Sequence, residues 1–122
     1  MTTNTAVQAA LVILALAAMG GLLMAGMRFS GRPQPPAGLA MLHGLGAGAA
    51  LTLLIYAHLT VGLGPLEMAG VALLILAAAV GIALNLRFHA RGLALPIPVV
   101  LGHAVTAAAG FSLLLVGAMT GA

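Results

Sequence analysis

Long apolar segments separated by short breaks are the dominant pattern of this chain. Crossing about 30 Å of hydrocarbon takes roughly 20 residues of helix, and the segments that are long enough cover approximately residues 6–27, 37–61, 66–87 and 97–120. The breaks between them read RFSGRPQPP, GLGP and RFHARGLALP, and each contains the Gly and Pro residues that end or start helices. The pattern predicts an all-α membrane protein whose four transmembrane helices form a bundle. The short second break predicts a tight antiparallel hairpin of helices two and three.

The composition agrees with a membrane protein and excludes several classes of site. Of the 122 residues, 63% are hydrophobic and 4% are charged, whereas soluble domains carry about 25% charged residues. The chain has no Cys, which excludes disulfides, thiolate metal sites and covalently attached c-type haem. It also lacks the dense basic face that nucleic-acid binding requires. We therefore expect a multi-pass protein of the cell (inner) membrane, in contact with the lipid bilayer.

The arginines predict the orientation of the chain. All four lie in the first and third breaks, at Arg28, Arg32, Arg87 and Arg91. Cytoplasmic loops of membrane proteins carry an excess of Lys and Arg, so both arginine-bearing loops are predicted in the cytoplasm and both termini outside. The first apolar segment is not preceded by the positive region of a secretory signal. We expect it to be retained as the first helix.

The chain matches itself when it is shifted by 60 residues. The shift pairs identical residues without a gap, among them Leu14 with Leu74, Gly21 with Gly81, Pro36 with Pro96 and His43 with His103. Each half holds two helices, so the halves run the same way through the membrane and are related by a pseudo-twofold axis along its normal. We expect a single membrane domain over residues 1–122, built from two parallel repeats of about 6–61 and 66–121.

The repeat gives two histidines matching positions within the membrane. His43 and His103 each lie about six residues into their helix, roughly 9 Å from the cytoplasmic boundary at 1.5 Å per residue. Two imidazoles that face each other across a bundle core can supply both axial ligands of a haem iron. The sequence therefore predicts that His43 and His103 bind one haem b between the two halves.

Glycines and arginines near the histidines fit the same hypothesis. Gly21 lies seven residues before Arg28, and Gly81 lies six residues before Arg87, so both glycines are close to the depth of the histidines. A helix that lacks a side chain at this depth leaves room for a flat macrocycle. Guanidinium groups match carboxylates in geometry. The four arginines are therefore candidate partners for the haem propionates.

Each of these features also has a purely structural interpretation. An intramembrane histidine often hydrogen-bonds a neighbouring helix, which is worth about 0.6 kcal/mol on average. Small residues spaced as Gly44-xxx-Gly48 are typical of close helix packing, and loop arginines can serve topology alone. Duplication of one half would in addition copy its histidine without any role in ligation.

Polar residues near the outer hairpin are not paired by the repeat. His58 lies about 22 Å along the helix from His43, and its repeat equivalent is Ala118, so we expect no second haem within one chain. Together with Tyr56 and Glu67, His58 forms either a quinone or proton site or an interfacial anchor of the turn.

Two further polar residues lie near the third break. His89, between Arg87 and Arg91, is expected to be solvated or among the lipid headgroups. Asn85, near the end of the third helix, is expected to hydrogen-bond a neighbouring helix.

The pattern resembles a small four-helix membrane b-type cytochrome, or a haem-bearing anchor subunit of a respiratory complex. The resemblance covers the architecture of the whole chain and is carried by His43, His103 and the matched glycines. It implies bis-histidine haem b, a place in a larger membrane complex, and electron exchange with a quinone or a partner protein. The second histidine pair of diheme bundles is absent from this sequence, which puts electron transfer across the membrane by this chain alone in doubt.

Other functions compete with the haem hypothesis. Small multidrug exporters have a similar length and helix number, but they carry a glutamate in the first helix, whereas Glu67 begins the third helix here. A cofactor-free accessory subunit of a larger membrane complex fits the apolar composition, and one histidine alone would suffice to ligate a chlorophyll-type magnesium. With one acidic residue and no Cys, the chain offers no catalytic constellation. We expect no enzymatic activity.

Overall fold

The helices follow the predicted apolar segments closely. A computed structural model describes residues 3–121, with side chains from residue 5. Within this range the chain forms a bundle of long helices without a β-strand, namely α1 (Thr3–Phe29), α2 (Ala37–Thr60), α3 (Pro65–Arg87) and α4 (Ile97–Thr120), with a short 3₁₀ helix (His89–Arg91) between α3 and α4. All four long helices are long and apolar enough to cross a membrane. The predicted all-α bundle of four membrane-spanning helices is confirmed, and the 3₁₀ helix is the one described element that the pattern did not predict.

Local chemistry explains the tight turn between α2 and α3. Gly62 adopts a φ of +89°, which is strained for residues with a side chain. Pro65 is the first residue of α3, where its missing N–H costs no helical hydrogen bond. The Glu67 carboxylate accepts a hydrogen bond of 2.9 Å from the Gly64 N–H and so caps the helix start. The only acidic side chain of the chain therefore stabilises the hairpin turn.

The helices pack in a ring in chain order. The main contacts join α1 to α2 and α3 to α4, while α1 meets α4 and α2 meets α3 over smaller areas. The bundle is thus two helix hairpins laid side by side. Helices α2 and α4, which carry the matched histidines, lie diagonally across it.

The two halves bury equivalent residues. Positions related by the 60-residue shift are buried in both halves, namely Ala10 and Gly70, Leu14 and Leu74, Ala17 and Ala77, Ala50 and Gly110, Leu54 and Leu114, and Ala57 and Gly117. Since the helices of each half use the same faces, the sequence repeat is also a repeat in packing.

The densest packing lies at the bundle end that contains the turn between α2 and α3. A Cβ on Gly70 would lie 2.7 Å from the carbonyl oxygen of Gly110, so the backbones of α3 and α4 are in direct contact there. The repeat equivalents Ala10 and Ala50 are completely buried between α1 and α2. Leu54 fills the centre of this apolar core.

Hydrogen bonds join the two arginine-bearing loops at the other end of the bundle. The Leu95 N–H donates to the Pro33 carbonyl at 3.1 Å. The Gln34 side-chain amide donates to backbone carbonyls of the third loop, the shortest bond being 2.8 Å to Leu93. Arg28 Nε donates to the Leu95 carbonyl at 2.7 Å. Both loops therefore lie at one end, as their shared arginine content predicts.

We expect Gly70→Ala to lower the free energy of unfolding by about 1–3 kcal/mol, the usual cost of overpacking a tight contact. The matched control is Gly102→Ala, because a Cβ there would meet nothing within 4 Å and Ala favours a helix by up to about 1 kcal/mol over Gly. Unfolding of both variants in mixed detergent micelles measures the difference. Equal stability of the two variants would contradict the close contact of α3 and α4.

Candidate functional site

The structure brings the two matched histidines together across the bundle. The ring centroids of His43 and His103 are 6.0 Å apart, and the ring planes make an angle of 75°. Helices α2 and α4 have no direct backbone contact in the described chain, so the two imidazoles bridge the space between diagonal helices. Both side chains are half-buried.

Each imidazole is held by the neighbouring helix of its own half. His43 Nδ1 lies 2.7 Å from the Ala17 carbonyl oxygen, and His103 Nδ1 lies 2.8 Å from the equivalent Ala77 oxygen. A carbonyl oxygen only accepts hydrogen bonds, so Nδ1 carries the proton in both rings. In the neutral imidazole the lone pair is then on Nε2, the arrangement typical of metal-binding histidines.

The glycines at the same depth make these hydrogen bonds sterically feasible. A Cβ on Gly21 would lie 2.9 Å from Cε1 of His43, and a Cβ on Gly81 would lie 3.1 Å from Cε1 of His103. The depth match predicted from the sequence is present. However, the edge of an imidazole fills the space beside each glycine. This is the space in which a macrocycle was expected. The glycines therefore position the histidine rings.

A cavity of about 340 Å³ adjoins the two rings, within the range of about 300–1,000 Å³ found for ligand pockets. Both histidines and both glycines line it, and it extends toward the arginine-bearing loops, where Pro35 and Leu95 contribute. The structure thus brings the predicted histidines and glycines together around one space.

The cavity is displaced from the pseudo-twofold axis toward α2 and α3. The small residues Gly44, Ala47 and Gly48 of α2 line it, whereas α4 contributes only Val100 and His103 among the described residues. A Cβ on Gly44 or Gly48 would meet nothing within 4 Å. Inside this chain these glycines leave open space and do not serve close helix packing.

Of the arginines, only Arg28 lines the cavity. It is half-buried, and its Nε–H is bonded to the Leu95 carbonyl, which fixes the guanidinium at the cavity wall. Arg32, Arg87 and Arg91 are exposed and lie outside the described lining. Of the four arginines expected to bind a carboxylate, Arg28 is therefore the one that the described cavity lining includes. No acidic side chain of the described lining offsets its charge.

Asn85 and His89 also line the cavity, which the sequence did not predict for either residue. In the part of the chain that the structure describes, the Asn85 side chain makes no hydrogen bond to a neighbouring helix. His89 is half-buried at the cavity mouth and not fully solvated. The four-residue spacing of Gly81 and Asn85 held part of the missed signal, because it places both near one face of α3, whereas His89 lies in the 3₁₀ helix beyond the end of α3.

The polar residues near the outer hairpin do not join this site. His58 and Tyr56 are exposed, Glu67 caps α3, and none of the three lines the cavity. Over residues 3–121 no group of three or more His, Cys, Asp or Glu side chains is arranged to hold a metal ion.

We expect Nδ1 to carry a proton in both rings, because each Nδ1 has a carbonyl acceptor. Nitrogen NMR of histidine-labelled protein in micelles distinguishes the two tautomers. Gly21→Ala should change the His43 signals and leave those of His103 nearly unchanged, because a Cβ there overlaps only the His43 ring. Gly20→Ala is the control, since its Cβ would meet Leu39 at an ordinary 3.8 Å. A proton on Nε2 in wild-type His43 would contradict the observed arrangement.

Comparison with protein-family models, with curated proteins and with solved structures finds no match to this chain. The resemblance to small b-type cytochromes therefore rests on the sequence pattern alone. What the site does has to be inferred from the paired imidazoles, the cavity beside them and the charges that line it.

Proposed function

We propose that this chain is an integral membrane electron-transfer protein, or a subunit of one, that binds one haem b between His43 and His103. The observation that carries the proposal is the pair of opposed imidazoles. Each is anchored through Nδ1 to a backbone carbonyl, which leaves Nε2 as the metal-binding atom. Two neutral imidazoles are the ligand set of a bis-histidine haem.

The spacing of the rings supports this ligand set. The ring centroids of His43 and His103 are 6.0 Å apart, so the two imidazoles are near enough to each other for one bound group to contact both. The adjoining cavity is bordered by small residues of α2 and is open toward the loops, which favours a flat ligand.

The residues around the cavity have definable tasks in such a protein. When bound, haem supplies a one-electron redox couple. His43 and His103 hold it, and their hydrogen bonds to Ala17 and Ala77 fix the ring orientation and increase the basicity of Nε2. The apolar lining excludes water, and Arg28 offers its positive charge to a carboxylate.

We infer that the redox partner lies outside this chain. The described part of the chain contains one opposed histidine pair, at the end of the bundle that carries the arginines. A single haem at one side of the membrane exchanges electrons with a neighbour, which we propose to be a quinone or another subunit of a larger respiratory membrane complex. Large apolar side chains such as Leu42 and Leu59 are exposed on the outside of the bundle and suit contact with lipid or with such a subunit.

A cofactor-free accessory subunit of a larger membrane complex is the second candidate. It is favoured by the hydrogen bonds of the histidines, because a bond between Nδ1 and a carbonyl of the neighbouring helix is itself a helix-packing interaction. In that case His43 and His103 would stabilise the two hairpins and bind nothing.

Optical spectra separate the two candidates. We expect wild-type protein purified with haem supplied to give sharp reduced b-type bands. His43→Ala or His103→Ala should lose them, since each removes one axial ligand. His58→Ala is the matched control, because His58 is exposed and does not line the cavity. A colourless wild-type protein would reject haem binding and leave the accessory subunit.

Reporter fusions test the proposed orientation. With both termini outside, a C-terminal alkaline phosphatase fusion should be active and a C-terminal green fluorescent protein fusion should be dark, because the first reporter works only outside the cytoplasm and the second only inside. Fusions placed after Arg32, in the first arginine-bearing loop, should show the opposite pattern. Phosphatase activity after Arg32 would contradict the positive-inside orientation.

A further inference from the structure

The cavity beside the histidines continues into a groove on the outside of the bundle. The groove runs between α2 and the end of α3, past Met41 and Leu45. Four residues line both the groove and the cavity, and we call them the portal: Ala40, Gly44, Asn85 and His89. α2 and α3 share the smallest contact among the long helices, and the portal lies between them near the arginine-bearing end of the bundle.

The repeat has diverged at the portal. The 60-residue shift relates its four residues to Val100, Ala104, Ala25 and Phe29, respectively. At the gap between α1 and α4, valine thus replaces Ala40, and alanine replaces both Gly44 and Asn85. The Arg-Phe pairs at Arg28 and Arg87 are 59 residues apart, so the repeat gives His89 no unique equivalent. The difference in side-chain size and polarity accounts for a cavity that is displaced to the α2–α3 side.

The polar groups along this path suit a ligand with an anionic edge. The Asn85 amide has no partner among the described residues and offers two N–H donors. The His89 ring stands beside it at the cavity mouth, and the Arg28 guanidinium lines the same cavity. No acidic side chain contributes to the described lining of cavity or groove. A flat apolar body next to the histidines and a carboxylate near the portal would each meet a complementary surface.

We propose that the portal is where the cofactor enters and where its carboxylate-bearing edge is bound by Asn85 and His89, while Arg28 adds positive charge from the α1 wall of the same cavity. This inference rests on the proposed haem function and assigns the propionates to the α2–α3 side.

A comparison of two forms of the cofactor tests the carboxylate contacts. Wild-type protein in micelles is titrated with haemin and with haemin dimethyl ester, in which both propionates are uncharged. We expect haemin to bind at least about tenfold more tightly, since hydrogen bonds to charged groups are the stronger class. Asn85→Ala combined with His89→Phe, which removes both polar side chains of the portal, should weaken haemin binding and leave ester binding unchanged. His58→Phe is the control for loss of a histidine.

Rates of uptake test the route. Gly44→Leu should slow haemin uptake from lipid vesicles several-fold, because its side chain would fill the portal, where a Cβ now meets nothing within 4 Å. Ala104→Leu, at the equivalent position of α4, should take up haemin at the wild-type rate. Equal rates for these two variants would contradict the route through the portal.

The possible outcomes separate this inference from the function on which it rests. If wild-type protein binds neither haemin nor its ester, the haem function fails and the portal assignment fails with it. If both bind with bis-histidine spectra but with equal affinity, or if the portal variants keep the wild-type preference, the haem function stands. The assignment of the carboxylate edge to the portal is then wrong.

Discussion

The site depends on one hydrogen bond that occurs twice, from a histidine Nδ1–H to a helix carbonyl. An imidazole N–H within an apolar bundle must have an acceptor, because an unpaired polar group there costs several kcal/mol by order of magnitude. Ala17 and Ala77 provide the acceptors. The bond requires the ring to lie against the backbone, which only a glycine one turn later allows. In the neutral ring it also leaves the lone pair on Nε2.

The bundle combines a closed end with an open end. Near the turn between α2 and α3, the contact of Gly70 with Gly110 brings two backbones together, and the apolar core fills the remaining space. At the other end the histidines hold diagonal helices apart, and the hydrogen-bonded loops limit how far the helices separate. In a membrane, where apolar burial gives little drive for helix association, such close contacts and hydrogen bonds stabilise the bundle.

The sequence was sufficient for the helices, the repeat and the meeting of the histidines. Long apolar runs bounded by Gly and Pro define the helices, and identical residues 60 positions apart bring His43 and His103 to equivalent places. The sequence was not sufficient to predict that the cavity is displaced toward α2 and α3. The repeat was found by matching identical residues, and such matching ignores the differences between the halves. The replacement of Gly44 by Ala104 is such a difference. The position of Arg28 at the cavity wall depends on its hydrogen bond to the Leu95 carbonyl. No local sequence pattern predicts such a contact between distant parts of the chain.

Electron paramagnetic resonance of the ferric, haem-loaded protein tests the central claim most directly. The orbital energies of low-spin ferric iron depend on the angle between the planes of its imidazole ligands, and the rings of His43 and His103 make an angle of 75° in the structure. Ligation by His43 and His103 in this arrangement predicts a strongly anisotropic low-spin signal from one haem per chain. A high-spin signal, or none after haem is supplied, would contradict bis-histidine ligation. A rhombic low-spin signal typical of parallel rings would contradict the observed ring geometry.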